Sequence, residues 1–480
     1  MNSTINKIKE LFSSFSKSEI KAVDKLPQAG SERHYFRIHT ADKTFIATYG
    51  ANLKENDSFI YFSRHFKKKN LQVPEILCIS NDKDIYIQED FGDISLLNKL
   101  EENGFAPAAY ELYKKSLQQL ALLQVKGHEG LDYKKCLTNS SFGKQAIMAD
   151  LLYFKYYFLD ALRQPYDKQK LIDDFEALSN YLSHTEYKYF MFRDFQSRNI
   201  MVTPDNEVHF IDYQGGMKGA PQYDVASLLW QAKANLPDEW KQHLLEDYME
   251  AFEKVVEEPI DKDIFRSQYN GYVLIRLLQV LGAYGFRGLF ERKAHFLTSI
   301  PLALQNLKWF VQNQSLGIAV PEFKKVLELC ISDEVIKEFT PVQATDETVL
   351  VVTINSFSYK KGIPADATEN GGGYVFDMRG ILNPGRIEVY KTQSGLDKPV
   401  KDFIEQQTEM LHYLNGVYQV IDISVTNYIN RNFASLMINF GCTGGQHRSV
   451  YAAEALARHL RNKFKVKIVL THTNKENWVR

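Results

Sequence analysis

The amino-acid sequence predicts two unlike parts, a bilobal α+β fold over roughly the first two thirds and a compact α/β domain after it. Three observations lead to this. A chain of 480 residues is longer than a single hydrophobic core usually supports. Short strand-like segments near the N-terminus give way to long stretches with helical spacing. Beyond residue 348, strand and helix patterns return together.

The first segment, about residues 1–92, is predicted to be a small β-rich lobe. Tyr35–His39 and Thr44–Tyr49 read as strands around a short polar turn, and Ile85–Glu89 reads as another. A helix precedes them, because apolar residues near the N-terminus recur at helical spacing: Ile5, Ile8, Leu11, Phe12 and Phe15. The same residues do not form the apolar run of a secretory signal.

A helical lobe is predicted for about residues 93–339. The spacing turns helical over Pro107–Leu182, again over Pro237–Val311, and once more over Pro321–Leu329. Residues 340–347 are polar and rich in helix breakers, so we expect a linker there, with the first domain spanning 1–339 and the second 348–480.

The second domain is predicted to be a compact α/β fold. Thr348–Ile354 and Ser435–Phe440 read as buried strands, and Ser449–Leu460 reads as a helix that follows the second strand closely. Strands alternating with helices favour a sheet covered by helices.

Composition indicates a soluble intracellular protein. The chain is 44% hydrophobic and 24% charged with a formal net charge of -1, so no polymeric partner is indicated by charge. Four cysteines without CxxC spacing suggest a reducing cytosol rather than a disulfide framework or a zinc site. No apolar run reaches the roughly 18 residues that a membrane helix needs, so we expect a cytoplasmic protein without a membrane span.

One segment carries the spacing of a phosphotransferase catalytic loop. Asp194 is followed five positions later by Asn199, and Asp212 ends a strand-like apolar stretch. Phosphoryl transfer needs a carboxylate that orients the acceptor and hard oxygen ligands for Mg²⁺, which suits Asp194 for the first role and Asn199 and Asp212 for the second. Taken singly, each could be a turn-capping residue; taken together they predict an enzyme that uses ATP and Mg²⁺.

At this point residues 1–330 resemble the aminoglycoside phosphotransferase and choline kinase-like family, in particular its anomeric sugar kinase (AmgK) branch. The resemblance implies a protein-kinase-like bilobal fold and transfer of phosphate from ATP to a small molecule. It rests on an ordered series of segments: Gly30–Arg37, Gln88–Asp93, Phe192–Asn199, Asp212–Gln214, Tyr223–Leu229 and Arg276–Arg287.

The chain departs from that family in two places. Phe192 stands where a histidine is usual, and the third strand lacks the lysine that most members direct to the α- and β-phosphates. Another cation must replace it if the site is active, and Arg33 is the candidate, a surface arginine being the alternative. The resemblance further implies that ATP contacts Ser31, close to Arg33 in the sequence. It also implies that the adenine contacts the segment between the two lobes, Glu89, Asp90 and Phe91.

A second glycine-rich loop, Gly441–Ser449, follows an apolar strand and opens a helix. Paired glycines let backbone N–H groups approach an anion, the helix N-terminus adds its positive dipole end, and Arg448 offers a bidentate fork. The alternatives are a plain turn with Ser449 as N-cap, or a thiolate phosphatase motif in which Cys442 is the nucleophile.

Residues 348–480 resemble the C-terminal domain of the RapZ family of RNase adaptors. The shared segments are Ser356–Pro364, Phe376–Arg379, Asn383–Pro384, Ser394–Asp397 and Gly441–Val450. The resemblance implies a hexosamine phosphate ligand, held by a set of loop residues with Lys360 and Arg379 as possible helpers: Thr443, Gly444, Gly445, His447, Arg448, Ser449. It also implies RNA binding, which we do not favour, because a solvated helix face and an edge strand explain the basic cluster Arg458, Arg461, Lys463, Lys465 and Lys467 without RNA.

Together these patterns predict a sugar kinase, acting on the anomeric hydroxyl of N-acetylmuramic acid or N-acetylglucosamine, fused to a phosphosugar-binding regulatory domain. The alternative is a regulatory protein that binds RNA or a sugar phosphate and whose kinase half is degenerate. The sequence leaves the acceptor open.

Overall fold

The computed structural model describes residues 2–26, 33–291, 293–366, 368 and 373–479. The chain divides into two compact units, Met1–Gly285 with Leu302–Ser332, and Phe286–Pro301 with Asp333–Arg480. The linker predicted at residues 340–347 lies inside the second unit.

The first unit begins with an antiparallel sheet of order β1-β2-β3-β5-β4. Helix α1 (Asn2–Phe15) covers one face of it, with Ile8 and Phe12 fully buried. On α2 (Leu53–Lys67), Phe59 stacks on Tyr86 of the sheet at 5.4 Å. The strands are β1 (Ala22–Lys25), β2 (His34–His39), β3 (Thr44–Tyr49), β4 (Ile76–Ile79) and β5 (Ile85–Glu89).

Helices dominate the chain after β5. Several begin after a residue whose side chain accepts backbone N–H groups. Ser95 forms a capping box with Asn98, and Asp167 and Asp261 cap the helices that begin at Lys168 and Lys262. The helices are α3 (Leu96–Asn103), α4 (Pro107–His128), α5 (Lys144–Phe154), α6 (Lys168–Ser183), α7 (Gln222–Leu229), α8 (Asp238–Val256), α9 (Lys262–Tyr284), α10 (Ala294–Leu297), α11 (Ile300–Asn313), α12 (Pro321–Cys330) and α13 (Asp333–Phe339), of which α10 and α13 belong to the second unit.

Two small ladders lie among these helices: β6 (Tyr189–Met191) pairs with β9 (Met217–Gly219), and β7 (Ile200–Val202) pairs with β8 (Val208–Phe210). A β-rich lobe followed by a helical lobe is the predicted protein-kinase-like arrangement, and the predicted fold class is confirmed.

In the described part of the chain, one helix, Lys262–Phe290, is long and apolar enough to cross a membrane by length and composition. Of its most apolar window, 56% is buried inside the fold. A core helix passes the same test, so this is weak evidence for a membrane span.

The second unit contains a four-stranded sheet of order β11-β12-β10-β13 whose described pairings are all parallel. Its core is formed by apolar residues of the strands and of the covering helices, such as Ile354, Ile438 and Leu456. The elements are β10 (Val351–Ser358), β11 (Tyr374–Asp377), α14 (Lys398–Gln407), α15 (Met410–Asn430), β12 (Ser435–Cys442), α16 (Arg448–Phe464) and β13 (Lys467–His472).

Candidate active site and anion-binding loop

The three catalytic-loop residues predicted from spacing lie on neighbouring segments. Asp194 follows β6, Asn199 lies in a 3₁₀ turn directly before β7, and Asp212 follows β8. The Ile211 N–H donates to the Asn199 carbonyl at 3.0 Å, and Asn199 Nδ2 donates to the Asp194 carbonyl at 2.9 Å. These backbone contacts set the three side chains beside one another, with the Asp194 side chain 51% exposed.

Asp212 has an unusual backbone conformation, with φ at +71°. Non-glycine residues in this region cost of order 1 to 3 kcal/mol and concentrate at functional sites. Its Oδ1 accepts hydrogen bonds from Arg33 Nη2 at 2.6 Å and from Gln214 Nε2 at 3.0 Å. Oδ2 accepts none from the described residues, so a carboxylate oxygen stays open for a ligand.

Arg33, directly before β2, is the cation next to Asp212. It is only 3% exposed, and its Nε also lies 3.2 Å from Glu55 Oε1 in the first turn of α2. In protein kinases a lysine on the third strand pairs with a glutamate on the following helix. Arg33 therefore has the kind of partner that the missing lysine has there.

Asp224 holds the catalytic loop from beneath. It is fully buried, and it accepts the N–H groups of Phe192 at 2.7 Å and Arg193 at 2.9 Å, together with Gln124 Nε2 at 2.9 Å. Burial raises the pKa of Asp224 to about 7, although these hydrogen bonds lower it. Arg193 itself has φ at +80°, so the loop conformation depends on this support.

Two arginines lie beside Asp194. Arg276 Nη1 is 3.5 Å from Asp194 Oδ1, and the Arg276 side chain is 5% exposed. Arg193 donates to Tyr223 Oη at 2.8 Å and to Asp150 Oδ1 at 2.7 Å. Asp150 Oδ2 is buried without a hydrogen-bond partner in the described part of the chain. The acceptor side of the cleft thus combines guanidinium groups with one incompletely satisfied carboxylate.

The predicted interlobe segment has its acidic side chains already engaged. Glu89 accepts from Lys67 Nζ at 2.8 Å, and Asp90 accepts from Arg37 Nε at 2.6 Å. Phe91 stacks on His209 at 4.0 Å. The Glu89 N–H donates to the Glu75 carbonyl at 3.2 Å, whereas the backbone groups of Asp90 and Phe91 have no backbone hydrogen bond among the described residues. Ser31, the remaining predicted ATP contact, lies outside the described residues.

In the glycine-rich loop of the second unit, three backbone carbonyls accept hydrogen bonds from side chains that lie outside the loop. Thr443 O accepts from Ser358 Oγ at 2.7 Å, Gly444 O from Asn474 Nδ2 at 2.7 Å, and Gly445 O from Trp478 Nε1 at 2.9 Å. Within the described residues, the N–H groups of Gly444, Gln446 and His447 have no acceptor. A loop with bound carbonyls and open N–H groups has the polarity that an anion cradle requires.

Cys442 and Ser449 lie at the base of this cradle. Cys442 Sγ accepts the Gly445 N–H at 3.2 Å and lies 3.1 Å from Ser449 Oγ. Helix α16 begins at Arg448, so Ser449 lies inside its first turn and is not the N-cap. The reading of Ser449 as a plain N-cap is therefore wrong.

Arg448 is 4% exposed, and only some of its guanidinium nitrogens have hydrogen-bond acceptors within the fold. Its Nη1 donates to the carbonyls of Arg379 at 3.1 Å and Ile381 at 2.7 Å. Its Nε is buried without a partner among the described residues. Burial lowers the pKa of Arg448, and burial likewise lowers the pKa of His447, whose Nε2 bonds to the Tyr390 carbonyl. An anion at the loop would supply the missing acceptor.

Sequence reasoning assigned no role to Glu55, Asn474 or Trp478; of Asn474 it noted only that Thr471–Asn474 stands where the RapZ family commonly has His-Arg-Asp. Glu55 carried a usable signal, because it stands three residues after Asn52, whose side chain accepts the Glu55 N–H as an N-cap. The other two lie about 30 positions from the carbonyls they bind, and no local pattern marks them.

Comparison with known proteins gives one family match in each part of the chain. A model of the phosphotransferase enzyme family matches residues 25–259, and a model of the RapZ C-terminal domain matches residues 350–476. A nucleotide-binding protein of Fervidobacterium nodosum is 33% identical over 202 residues, covering 39% of this chain and 67% of the relative. One of Endomicrobium trichonymphae is 37% identical over 162 residues, covering 33% and 52%. The chain thus spans about two thirds of the first relative and about half of the second.

The chain is similar in fold to two solved structures from the choline kinase group. The choline kinase LicA of Streptococcus pneumoniae is 14% identical, with a TM-score of 0.43, covering 65% of this chain and 99% of that chain. A choline/ethanolamine kinase family protein of Mesorhizobium loti is 12% identical, with a TM-score of 0.45, covering 68% and 99%.

A β-rich lobe, a helical lobe and an Asp-Asn-Asp loop define the phosphotransferase class. Residues 25–259 match the phosphotransferase enzyme family, and residues 350–476 match the RapZ C-terminal domain.

Proposed function

We propose that the N-terminal part is an ATP- and Mg²⁺-dependent sugar kinase acting on the anomeric hydroxyl of N-acetylmuramic acid or N-acetylglucosamine, and that the C-terminal domain binds a phosphosugar and regulates it. The observation that carries the proposal is the half-exposed Asp194 carboxylate, supported from below by Asp224 and flanked by Arg276 at 3.5 Å. A cytoplasmic role in recycling cell-wall amino sugars follows from this pairing of domains by association.

The catalytic roles follow from the open atoms of the loop. Asp194 orients the acceptor hydroxyl and accepts its proton. Asn199 uses its Nδ2 to hold the Asp194 carbonyl, so Oδ1 is its metal-binding atom, and Asp212 contributes Oδ2. Mg²⁺ is usually bound by one or two such oxygens plus substrate phosphates, and MgATP supplies the phosphoryl group.

Arg33 is proposed to compensate phosphate charge in place of the missing lysine. Its guanidinium is held by Glu55 on one side and Asp212 on the other, which fixes it beside the proposed metal ligand. Arginine suits the role because its planar donors match phosphate oxygens. Adenine is proposed to meet backbone groups of Glu89, Asp90 and Phe91, and Ser31 to meet the phosphates.

The charge of the acceptor side supports a sugar over an amine. A cationic acceptor whose hydroxyl is oriented by Asp194 would also lie close to the Arg276 guanidinium, and the positive charge of Arg276 would repel it. A neutral or acidic sugar would instead gain hydrogen bonds from Arg276.

A substrate panel tests the kinase proposal. Sugars and amino alcohols are incubated with ATP and Mg²⁺, ATP consumption is followed, and the product position is read by ³¹P NMR. The expected result is a sugar 1-phosphate, formed by the wild type and lost in Asp194→Ala. Phosphorylation of choline or of an aminoglycoside in preference to sugars would contradict the acceptor assignment.

A titration separates this proposal from its alternative, in which the kinase half is degenerate. The intact chain is titrated with a nonhydrolysable ATP analogue, with and without Mg²⁺. An active site binds the analogue more tightly when Mg²⁺ is present, through Asn199 and Asp212. Absence of nucleotide binding in both conditions would favour the purely regulatory function.

For the C-terminal domain, we propose that a hexosamine phosphate binds the loop through Thr443, Gly444, Gly445, His447, Arg448 and Ser449. The outward-bound carbonyls and the open Arg448 Nε support this. Each charge-assisted hydrogen bond to a dianion contributes about 1.5 to 3 kcal/mol, whereas an exposed lysine contributes under about 1 kcal/mol.

Calorimetry with glucosamine 6-phosphate on the full chain tests this site. We expect Arg448→Ala to weaken binding at least about tenfold, and Lys467→Ala, on the exposed strand β13, to leave it unchanged. Equal affinity in the two variants would show that the loop is a structural turn. Lys463 is a poorer control, because it pairs with Asp422 at 2.7 Å and its side chain is only 15% exposed. This pairing also gives no support to RNA binding through the basic cluster of α16.

A further inference from the structure

A concentration of positive charge lies where α2 of the small lobe faces the turn that follows α4. A cavity of about 500 Å³ runs along one stripe of α2, opposite the turn that follows α4. Asp57 is the one acidic residue among its described lining residues. Six cations line it, and together with Tyr61 they define what we call the α2 groove: Lys54, Arg64, Lys68, Lys83, Lys134 and Lys135.

The walls of the α2 groove are fixed to one another by hydrogen bonds. Ser58 Oγ on α2 donates to the Lys135 carbonyl at 2.7 Å, and the Asp132 N–H donates to Tyr61 Oη at 2.8 Å. On the third side, Asn56 Nδ2 donates to the Lys83 carbonyl at 2.9 Å. The cations are therefore presented by a rigid frame made of three chain segments.

The charge of the α2 groove is not neutralised within the fold. Lys83 pairs with Asp57 at 3.1 Å. In the part of the chain that the structure describes, the other five cations have no ion-pair partner. Protein surfaces usually intersperse charges of both signs, and the whole chain has a formal net charge of only -1. Unpaired like charges around one cavity repel one another, and a bound anion removes that repulsion.

We propose that the α2 groove binds a small phosphorylated molecule carrying at least two negative charges. A cavity of about 500 Å³ lies within the range typical of small-molecule sites, about 300 to 1,000 Å³. Lysine and arginine are the usual phosphate-binding side chains, and the Tyr61 ring offers a surface for the rest of the ligand. Arg33, Asn199 and Asp212, to which we assign the nucleotide and its metal, are not among the described residues that line the groove.

Calorimetry with inorganic tripolyphosphate tests the proposal on the full chain. Every protein carries Arg448→Ala, so that the C-terminal loop does not contribute. Arg64→Ala with Lys68→Ala removes two groove charges, one from α2 and one from its C-cap. The matched control, Lys17→Ala with Lys21→Ala, removes the same charge from exposed positions before β1. Nucleotide affinity is measured in each variant to monitor the kinase cleft.

We expect the α2 variant to lose one tripolyphosphate site, or to bind there at least about tenfold more weakly, with nucleotide affinity unchanged. The control should bind as the parent does. Lys134→Ala with Lys135→Ala, on the facing wall, must give the same loss, which guards against a fold defect in α2. Identical isotherms for the α2 variant and the control would overturn the proposal. The proposal would also be overturned if these substitutions abolished binding of a short RNA but left tripolyphosphate binding unchanged.

Discussion

Replacing Asp224 by asparagine tests whether one buried carboxylate holds the catalytic loop. Asp224 Oδ2 accepts two donors, the Phe192 N–H and Gln124 Nε2, and Oδ1 accepts the Arg193 N–H. Asparagine has one oxygen and one NH₂ group. Its better orientation puts the oxygen at the Oδ2 position, which leaves the Arg193 N–H facing another donor.

The magnitude follows from that count. A buried donor without a partner costs about 1 to 3 kcal/mol, so Asp224→Asn should lose about that much stability. Asp224→Ala leaves all three donors unpaired and should cost about 3 to 9 kcal/mol, which is comparable with the whole stability of a domain, about 5 to 15 kcal/mol. We therefore expect the asparagine variant to fold and the alanine variant to fold poorly.

Calorimetry and hydrogen exchange provide the assay. The melting of the N-terminal unit should fall by a few degrees in Asp224→Asn, and exchange at the Arg193 amide should accelerate. Asp42→Asn, in the exposed turn between β2 and β3, is the matched control. If Asp224→Asn melts and exchanges like the control, the carboxylate does not support the loop.

The pH dependence of the same pair gives an independent check. Burial raises the pKa of Asp224 to about 7 in the folded protein, against an ordinary value of 3.8. The folded state therefore binds this proton more tightly than the unfolded chain does. Stability from this group is fully present below about pH 4 and is lost as the pH rises to about 7. Asp224→Asn should lack this loss, so the wild type should fall relative to the variant across that interval.

The remaining predictions concern the proposed catalytic and anion-binding residues. Asp194→Ala should reduce turnover by orders of magnitude while nucleotide affinity, measured by calorimetry, stays unchanged, because this carboxylate orients the acceptor. Asp212→Ala should weaken Mg²⁺-dependent nucleotide binding; wild-type turnover in both variants would contradict the assignment. Arg33→Met should raise the KM for ATP at least about tenfold in steady-state assays, and an unchanged KM would exclude Arg33 as the replacement for the lysine. Cys442→Ser should keep phosphosugar binding, because serine can also accept the Gly445 N–H, whereas a phosphatase activity lost in that variant would identify Cys442 as a nucleophile.

Sequence patterns predicted the bounds of those strands that depend mainly on their own residues. Thr44–Tyr49 and Ile85–Glu89 have the predicted bounds, because both strands are set by apolar residues at the sheet surface. The strand predicted from Thr348 begins instead at Val351, since Thr348 Oγ1 accepts the Thr345 N–H and closes a turn. Helix α15, which spans 21 residues, was not predicted at all.

The kinase site likewise combines residues that local spacing predicts with contacts that only the tertiary structure reveals. Asp194, Asn199 and Asp212 were recognisable because their chemistry is encoded in spacing along one short segment. Their support was not, because Asp224 lies 32 positions from the Phe192 N–H that it accepts. Arg33 lies 179 positions from Asp212, and only folding brings the two together. The residue types of a site can thus be read locally, while the contacts that hold them depend on tertiary structure.

The C-terminal loop shows why a glycine-rich motif alone does not establish an anion site. A turn with the same glycines could direct its carbonyl oxygens inward, and it would then repel a phosphate. Here Ser358, Asn474 and Trp478 bind three of those carbonyls from outside the loop. Because the peptide unit is planar, fixing the Thr443 and Gly445 carbonyls directs the N–H groups of Gly444 and Gln446 to the opposite side, while the Gly445 N–H is bound to Cys442 Sγ. The polarity of the cradle is therefore decided by residues outside the motif, which is why the motif could suggest phosphate binding while its partners supply the physical reason.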